Sequence, residues 1–293
     1  MESGLIDSSK YQITTHSLDS RFSDLKNNAN SEFRIRNQAP LKNIVRVRLA
    51  SIELPFVEHA FSAAKGNDTF SVKIGNGIRF IQSTRVPPGN YTAGALVSVV
   101  QTMLQAIHSS FTCVLSPISG FITISNPVVS FTMDFSSLVQ SVAARPSHWG
   151  LGYYLGFRDS LVSSAFIDNV YTIVTTSVIN VQATPYYLLQ LKCPEDVVNV
   201  IHRLNNETYV DAFAKLVLRD NYYQLQFDDG SNLLRKEYTF LAPITVPFFQ
   251  VRLLDPWGEL VDMLDADWSL TIEVTEIVNS KTFAEISKTY ARK

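Results

Sequence analysis

The chain has 293 residues, of which 46% are hydrophobic and 18% are charged, and its formal net charge at pH 7 is -2. This composition supports a hydrophobic core and excludes a disordered chain. The balance of 25 basic against 27 acidic residues argues against a dedicated nucleic-acid binder, which normally carries a basic excess.

Residues 1–31 are polar and show no periodicity. We expect an N-terminal arm or loop rather than packed structure, either disordered or ordered by a partner. The first residues contain no basic stretch followed by an apolar one, and no apolar run approaches the ~20 residues of a membrane span. We therefore expect neither a signal peptide nor a transmembrane helix, and a protein made in the cytosol.

Alternating segments begin at Phe33 and predict strands over Phe33–Arg36 and, after a break at Pro40, over Asn43–Leu54. The segments 69–74 and 78–83 flank Gly75-Asn76-Gly77. Asn-Gly between two alternating segments favours a β-hairpin because both residues tolerate positive φ. A hairpin is therefore predicted here.

One amphipathic helix is predicted from about Thr92 to His108, with Thr92 or Asn90 as the N-cap. Its apolar residues recur at the spacing of a single helical stripe, and we expect them to pack in the core. The residues of the stripe are Leu96, Val99, Val100, Met103, Leu104 and Ile107.

The rest of the chain is again rich in strand patterns, and the clearest strand is Trp268–Glu276. Its alternation places Trp268, Leu270, Ile272 and Val274 on one face. A β-turn is predicted at Asp255-Pro256-Trp257-Gly258. About a dozen strands with one long helix, and no alternation of strands with helices, predict an antiparallel sandwich or jelly roll. The other strands are predicted over 111–115, 121–125, 128–131, 171–179, 186–192, 212–219, 238–241 and 247–254.

The sequence contains no recognisable reactive constellation, so we predict no enzyme and no catalytic, cofactor-binding or metal-binding residues. The histidines, His16, His59, His108, His148 and His202, lie in no metal-binding motif. The closely spaced Asp262, Asp265 and Asp267 lack the glycine and closing Glu of a calcium loop and read as a solvated turn. Asp228-Asp229-Gly230 reads as a turn as well.

Two further features have structural interpretations. The aromatic run from Trp149 to Phe157 carries three glycines whose spacing matches no phosphate-binding loop, so we expect tight packing. Cys113 and Cys193, too few for a disulfide framework, are expected to be two buried thiols, with one long-range bridge as the alternative.

Several segments together resemble the jelly-roll penton and minor capsid proteins of nucleocytoplasmic large DNA viruses. The opening of that family is similar to Leu18-Asp19-Ser20-Arg21-Phe22 followed, after a polar loop, by Phe33-Arg34-Ile35. Its closing segment is similar to Val251–Asp262 followed by Asp267–Glu273. The resemblance extends in order over roughly residues 18–276. The segments between its ends are Val45–Pro55, Pro88–Thr92 with the helix that follows, and Leu155–Phe157.

This resemblance implies an all-β fold, a single jelly-roll β-sandwich with one long helix and inserted hairpins. We expect an N-terminal arm over 1–31 and a single jelly-roll capsid domain with insertions over 32–293. A double jelly roll, as in major capsid subunits, would need more strands than are counted.

The same resemblance implies a virion structural protein. The first candidate is a penton subunit that forms homopentamers at the vertices of an icosahedral capsid, and the alternative is a minor capsid protein beneath the shell. The implied partners are further copies of the chain, capsomers of the major capsid protein and other minor capsid proteins, without nucleic-acid contact or membrane span. The implied location is the virion, assembled in the host cytoplasm. A carbohydrate-binding or carbohydrate-modifying sandwich, using aromatics such as Tyr222 and Tyr223, is the alternative from another class.

The N-terminal third has a basic bias, which has two interpretations: a surface that meets acidic neighbours, or a solvated strand face. The residues responsible are Arg21, Arg34, Arg36, Arg46 and Arg48.

Overall fold

The computed structural model describes residues 11–75, 81–136, 150–182, 184–193, 196–197, 201–204, 209–218, 223–228, 237–256 and 258–278. Contacts divide the chain into two compact units. Unit 1 consists of Met1–Glu58 and Thr184–Lys293, and unit 2 consists of His59–Ala183. Unit 2 is therefore a continuous stretch of sequence that interrupts unit 1.

Strands dominate both units. Unit 1 begins with β1 (Tyr11–Asp19), β2 (Leu25–Lys26) and β3 (Glu32–Pro55). Unit 2 contains β4 (Thr69–Ile74), β5 (Ile81–Arg85), α1 (Ala93–Ile107), β6 (Thr112–Leu115), β7 (Ile122–Asn126), β8 (Phe131–Asp134), α2 (Leu151–Leu155), β9 (Leu161–Ser163), β10 (Ala165–Ile167) and β11 (Val170–Val174). Unit 1 resumes with β12 (Tyr186–Cys193), β13 (Asp196–Val197), β14 (Ile201–Leu204), β15 (Tyr209–Ala212), β16 (Ala214–Val217), β17 (Leu225–Asp228), β18 (Glu237–Leu254) and β19 (Ser269–Ile277).

Unit 1 is built on one large antiparallel sheet with the strand order β1-β19-β3-β18-β12-β13. β16 pairs with β12, β2 and β17 pair with β3, and β14 with β15 forms a separate two-stranded sheet. Because alternate residues of a strand face one side, the inward side chains of these strands form one large core. Its members include Leu18, Phe33, Val47, Leu49, Ile52, Tyr187, Leu189, Phe249, Val251, Trp268, Leu270, Ile272 and Val274.

Unit 2 contains two four-stranded antiparallel sheets, β10-β11-β7-β6 and β5-β4-β8-β9. β4 and β5 pair from Thr69↔Arg85, which confirms the predicted hairpin, although residues 76–80 of its turn lie outside the described residues. The helix α1 is confirmed as well. Thr92 is its N-cap, and its hydroxyl accepts a hydrogen bond from the Ala95 amide at 3.2 Å.

The prediction that residues 1–31 lack packed structure is wrong for residues 11–31. β1 pairs residue by residue with β19, from Tyr11↔Ile277 to Asp19↔Ser269, and β2 pairs with β3. The sequence concealed β1 because only Leu18 and Asp19 of its nine residues are buried, so its side chains show little apolar alternation. Its position in the sheet depends on backbone hydrogen bonds to a partner at the far end of the chain.

Two strands run farther than predicted. β3 continues through Pro40, and β18 continues through Pro243 and Pro247. Their pairing shows register shifts between Thr239 and Phe248, and proline is tolerated at such bulges because the ladder hydrogen bond is already lost there. The prolines therefore mark bulges within long, curled strands and do not end them.

Strands account for more than half of the residues that the structure describes, and the sheets are antiparallel and curled. The predicted all-β fold class, with antiparallel sheets, one long helix and hairpins, is confirmed. The division into an arm over 1–31 and one domain over 32–293 stays a prediction.

Candidate functional site

The first and last segments of the family resemblance meet in unit 1, at the ends of β1 and β19. The Ser20 amide donates to the Trp268 carbonyl at 3.1 Å, and the Trp268 amide donates to the Ser20 hydroxyl at 3.1 Å. The same hydroxyl donates to the Asp267 carboxylate at 3.2 Å. Ser20 is almost fully buried, so one small residue satisfies three polar groups where two distant parts of the chain join. We call this contact the terminal joint.

Asn30 completes the terminal joint from the loop between β2 and β3. Its carbonyl accepts from the indole Nε1 of Trp268 at 2.7 Å, and its side-chain amide donates to the Ala266 carbonyl at 2.8 Å. Its φ is +52°, a left-handed conformation that Asn adopts more readily than most residues. Sequence reasoning missed Asn30, and the only available signal was an Asn in a polar loop.

The family opening folds into a short 3₁₀ turn, Ser20–Phe22, capped by Asp19. The Asp19 carboxylate accepts from the Arg21 amide at 2.9 Å and from the Arg21 guanidinium at 2.6 Å. Hydrogen bonds from Arg21 hold the pKa of Asp19 below its usual value, against the opposing effect of burial. The Arg21 side chain is 62% exposed, so its other face is open to solvent.

A shallow cleft of about 260 Å³ lies at the terminal joint. Asp19, Ser269, Glu53 and Phe227 occupy paired positions on four neighbouring strands, and paired residues project from the same face of a sheet. The carboxylates are already engaged: Asp19 with Arg21, Glu53 with the Ser269 hydroxyl, and Asp267 with Ser20. The residues lining the cleft are Asp19, Arg21, Glu53, Leu225, Asp267, Trp268 and Ser269.

The carboxylates of the cleft are therefore already hydrogen-bonded or ion-paired within the chain. Leu225, in the lining, and Phe227, two residues farther along β17, are both more than half exposed. Exposed apolar side chains of this kind are available for contact with another molecule.

The predicted basic bias is largely neutralised within unit 1. Arg34 and Arg36 both contact Asp24, at 3.0 and 3.4 Å, and hydrogen bonds from Arg34 lower the pKa of Asp24. Arg48 contacts Glu273 at 3.3 Å and Arg46 lies 4.0 Å from Glu237. These arginines fit the interpretation of a solvated strand face, with acidic partners in the same chain.

No metal cluster is found where the structure describes the chain: no three His, Cys, Asp or Glu side chains there are grouped to hold an ion. His16 contacts the Thr14 hydroxyl at 2.9 Å, and burial lowers its pKa. His108 is the C-terminal cap of α1. His148 and the side chain of His202 lie outside the described residues.

The predicted acidic turns are confirmed where they are described. Asp262 accepts from the Leu264 amide at 2.9 Å, and both Leu264 and Asp265 have positive φ. Asp265 lies 3.5 Å from Lys26. At the predicted Asp255 turn, the Gly258 amide donates to the Asp255 carbonyl at 3.0 Å. Residues 229 and 230 lie outside the described residues, as does Trp257.

Cys113 and Cys193 are buried and are not joined by a disulfide, as expected. Burial raises the pKa of Cys113 to about 12, so at neutral pH the thiol stays protonated. Because the thiolate is the reactive form, Cys113 is an inert packing residue.

The glycines of the predicted aromatic run are required by packing. A Cβ on Gly152 would lie 2.5 Å from the Phe135 ring, and one on Gly156 would lie 2.2 Å from the Ser177 carbonyl oxygen. Gly156 also ends α2 with a φ of +105°. Tight packing in place of a phosphate-binding loop is confirmed for these two glycines. The short helix α2 itself was not predicted.

No protein-family model matches the sequence, and no curated protein matches it. Among solved structures, the mavirus penton protein is 10% identical, with a TM-score of 0.49, and the alignment covers 91% of this chain and 99% of the mavirus protein. A chain of the Sputnik virophage is 11% identical, with a TM-score of 0.44, and the alignment covers 90% of this chain and 98% of the virophage chain. Similarity at this level assigns no function, which has to be argued from the chain's own residues.

No helix in the described part of the chain has the length and apolarity needed to cross a membrane.

Proposed function

We propose that the protein is a virion structural protein, the penton subunit of an icosahedral capsid, with five copies closing each vertex. The observation that carries this proposal is the terminal joint. The opening and closing segments by which the sequence resembles capsid proteins are hydrogen-bonded to each other through Ser20 and Trp268. This contact gives a structural reason why both segments occur in one chain although they lie far apart in the sequence.

A ring of five requires heterologous contacts, in which one patch of a subunit meets a different patch of its neighbour. The low charged content, 18%, suits such contacts because charged residues are depleted at the centres of protein interfaces. The exposed apolar side chains of Leu225 and Phe227 on β17 provide one surface available for them.

In this proposal the protein carries out no reaction and holds no cofactor or metal. Its partners are further copies of itself, capsomers of the major capsid protein and other minor capsid proteins, and it contacts no nucleic acid directly. It resides in the virion and is assembled in the host cytoplasm.

Native mass spectrometry of the purified chain tests the proposal. We expect a homopentamer, and in a reconstruction of the particle we expect density for the chain at the five-fold axes. A chain that stays monomeric and lies only beneath the facets would overturn the penton assignment in favour of a minor capsid protein. Specific binding to a glycan array would favour the carbohydrate-binding alternative.

A further inference from the structure

A long stretch of unit 2 contains no charged residue. Between Val86 and Met133 there is no Asp, Glu, Lys or Arg, although charged residues average about a quarter of a typical soluble protein. The stretch includes all of α1, β6 and β7. An uncharged segment of this length would be unremarkable if it were buried, so its exposed side chains decide whether it forms a surface.

The sheet β10-β11-β7-β6 has one buried face and one solvent-facing face. Cys113, Ile124 and Ile173 lie side by side on the buried face. The residues that alternate with them form the opposite face, which we call the uncharged sheet face. Its members are Thr112, Val114, Thr123, Ser125, Ala165, Ile167, Val170, Thr172 and Val174. Val114, Ile167 and Val174 are each about half exposed.

The helix α1 also presents an uncharged side to solvent. Leu96, Val97, Val100 and Leu104 are buried, whereas the opposite side carries small or uncharged residues. These exposed residues are Gly94, Ala95, Ser98, Thr102, Gln105 and Ala106. We call them the exposed side of α1.

Several hydroxyl groups on both surfaces are already hydrogen-bonded within the chain. On the sheet face, the hydroxyls of Thr112 and Ser125 lie 2.7 Å apart. On the helix, the Ser98 hydroxyl donates to the Gly94 carbonyl at 2.9 Å, and the Thr102 hydroxyl donates to the Ser98 carbonyl at 3.0 Å. Burying a polar group is costly chiefly when it loses its partner, so both surfaces can be removed from water without leaving these groups unsatisfied.

We propose that the exposed side of α1 of one subunit packs on the uncharged sheet face of the next copy of the chain. This inference rests on the proposed ring of five. The two surfaces are different patches of one molecule, as a closed ring requires. Neither carries a charge that would have to be neutralised, whereas a charged partner surface would lose its hydration without gaining an opposite charge.

The dimensions of the two surfaces agree. The 15 residues of α1 span about 22 Å at ~1.5 Å per residue, and four strands span about 19 Å at ~4.8 Å per strand. Because a helix is only ~10 Å wide, the footprint is roughly 220 Å², about a quarter of the ~800 Å² that each partner buries in a stable complex. A single contact of this kind is therefore weak, and we expect ring closure, in which every subunit makes two such contacts, to stabilise it.

Disulfide cross-linking tests the pairing directly. We expect the double variant Ser98→Cys/Thr123→Cys to give, on oxidation, a non-reducing gel ladder that extends to five subunits. We expect each single variant to give no cross-linked dimer, because Ser98 meets Thr123 and not another Ser98. The native cysteines are buried, and the wild-type chain controls for them. Dimers of Thr123→Cys alone, or no ladder from the double variant, would overturn the inference.

A charge placed on the uncharged sheet face provides an independent test with a matched control. Thr112 on this face and Ser163 on the other sheet of unit 2 are both exposed and both hydrogen-bond to a hydroxyl on a neighbouring strand. We expect Thr112→Glu to lower the pentamer fraction in native mass spectrometry at least about ten-fold, because an unpaired carboxylate would be desolvated in each contact. We expect Ser163→Glu to leave that fraction unchanged.

The outcomes separate the two proposals. If the wild-type chain forms no ring, the proposed function itself fails. If the wild-type ring forms but Thr112→Glu leaves it intact, or if Ser163→Glu disrupts it equally, the pairing of α1 with the sheet face is wrong while the penton assignment stands. The circular dichroism spectrum and melting temperature of each variant show whether it is folded before its assembly is compared.

Discussion

The two units of the chain are assembled from contacts of very different range. In unit 1, β1 pairs with β19 and β3 pairs with β18, so that Tyr11 is opposite Ile277 and Phe33 is opposite Val251. In unit 2, neighbouring strands are often consecutive, as in the hairpins β4–β5, β6–β7 and β10–β11. Contacts between distant residues require the closure of long loops and form slowly. We therefore expect unit 2 to form its hairpins before unit 1 completes its sheet.

The units also differ in how neighbouring strands are joined by side chains. Unit 1 uses ion pairs between paired strands, such as Arg48 with Glu273 at 3.3 Å and Arg252 with Glu32 at 3.3 Å. Unit 2 has an ion pair as well, between Arg85 and Asp68 at 3.3 Å, but it also joins strands by pairs of hydroxyls, Thr112 with Ser125 and Thr132 with Ser163. A hydroxyl pair can be covered by another molecule at little cost, whereas an exposed ion pair would lose hydration. The comparison marks unit 2 as the unit better suited to close contact.

The largest expected effect is in unit 1. Trp268→Ala removes a buried indole that packs edge-on against Phe33, with ring centroids 4.9 Å apart. It should lower the free energy of unfolding by about 3–5 kcal/mol, because it leaves a cavity and removes a hydrogen bond. Urea denaturation measures this loss. Amide hydrogen exchange should become faster in Tyr11–Asp19 and Ser269–Ile277, while the amides of α1 keep their protection.

Trp268→Phe is the matched control. It keeps a ring in the core but removes the Nε1 donor to the Asn30 carbonyl, so we expect a smaller loss of about 1–3 kcal/mol. If either variant reduced exchange protection equally in both units, the terminal joint would not stabilise unit 1 specifically.

An intermediate effect is expected in unit 2. Gly156→Ala would place a Cβ 2.2 Å from the Ser177 carbonyl oxygen, at a residue whose φ is +105°. We expect it to lower the free energy of unfolding by at least about 2 kcal/mol, because both the clash and the backbone strain must be relieved. The loss should be measurable in urea denaturation and should reduce exchange protection around α2.

Gly94→Ala is its control. Nothing lies within 4 Å of a Cβ at Gly94, in the first turn of α1, so alanine should be neutral or stabilising by up to about 1 kcal/mol. Equal destabilisation by the two substitutions would show that close packing at Gly156 is not the reason for its glycine.

The smallest expected effect is a difference between the two units in how their stability depends on pH. In unit 1, Arg21 lowers the pKa of Asp19, so Asp19 stabilises the fold above its unfolded pKa of about 3.9, and this contribution is lost as the pH falls through the lowered value. In unit 2, burial raises the pKa of Asp68, against the opposing charge of Arg85. Asp68 therefore stabilises the fold in its protonated form. This contribution to the free energy of unfolding is lost as the pH rises from the unfolded pKa of about 3.9 through the raised pKa of the folded state.

Hydrogen exchange between about pH 3 and pH 5, corrected for the intrinsic exchange rate, measures both responses. The range extends below and above the unfolded pKa of about 3.9. We expect Asp19→Asn to flatten the pH dependence of protection in unit 1, and Asp68→Asn to flatten it in unit 2. If both units lost protection in parallel on acidification and neither variant changed the slope, these two carboxyl groups would not be its source.

Local signals predicted the local elements well. The Asn-Gly sequence predicted the β4–β5 hairpin, and the apolar stripe with Thr92 predicted α1 and its cap. Strict alternation predicted the buried face of β19, where Leu270, Ile272 and Val274 are all fully buried. In each case the residues that determine the structure are neighbours in sequence or one helical turn apart, so their pattern can be read without a partner.

The prolines and the N-terminal strand show where local signals fail. Pro40 predicted a break, yet β3 continues through it because the pairing with β18 shifts register in the same region. β1 has the polar, non-periodic sequence of an arm because most of its side chains remain exposed in the sheet. Both errors concern strands whose conformation depends on a partner elsewhere in the chain.

The sequence by itself determined an all-β chain, its single long helix, its hairpins and turns, and the resemblance to capsid proteins, because composition and short-range periodicity carry that information. Only the tertiary structure decided that β1 belongs to the main sheet, that Ser20, Asn30 and Trp268 form one joint, and that the uncharged stretch lies partly on the surface. The physical reason is that strand pairing and exposure are properties of two segments together, and no pattern within either segment specifies which other segment it will meet.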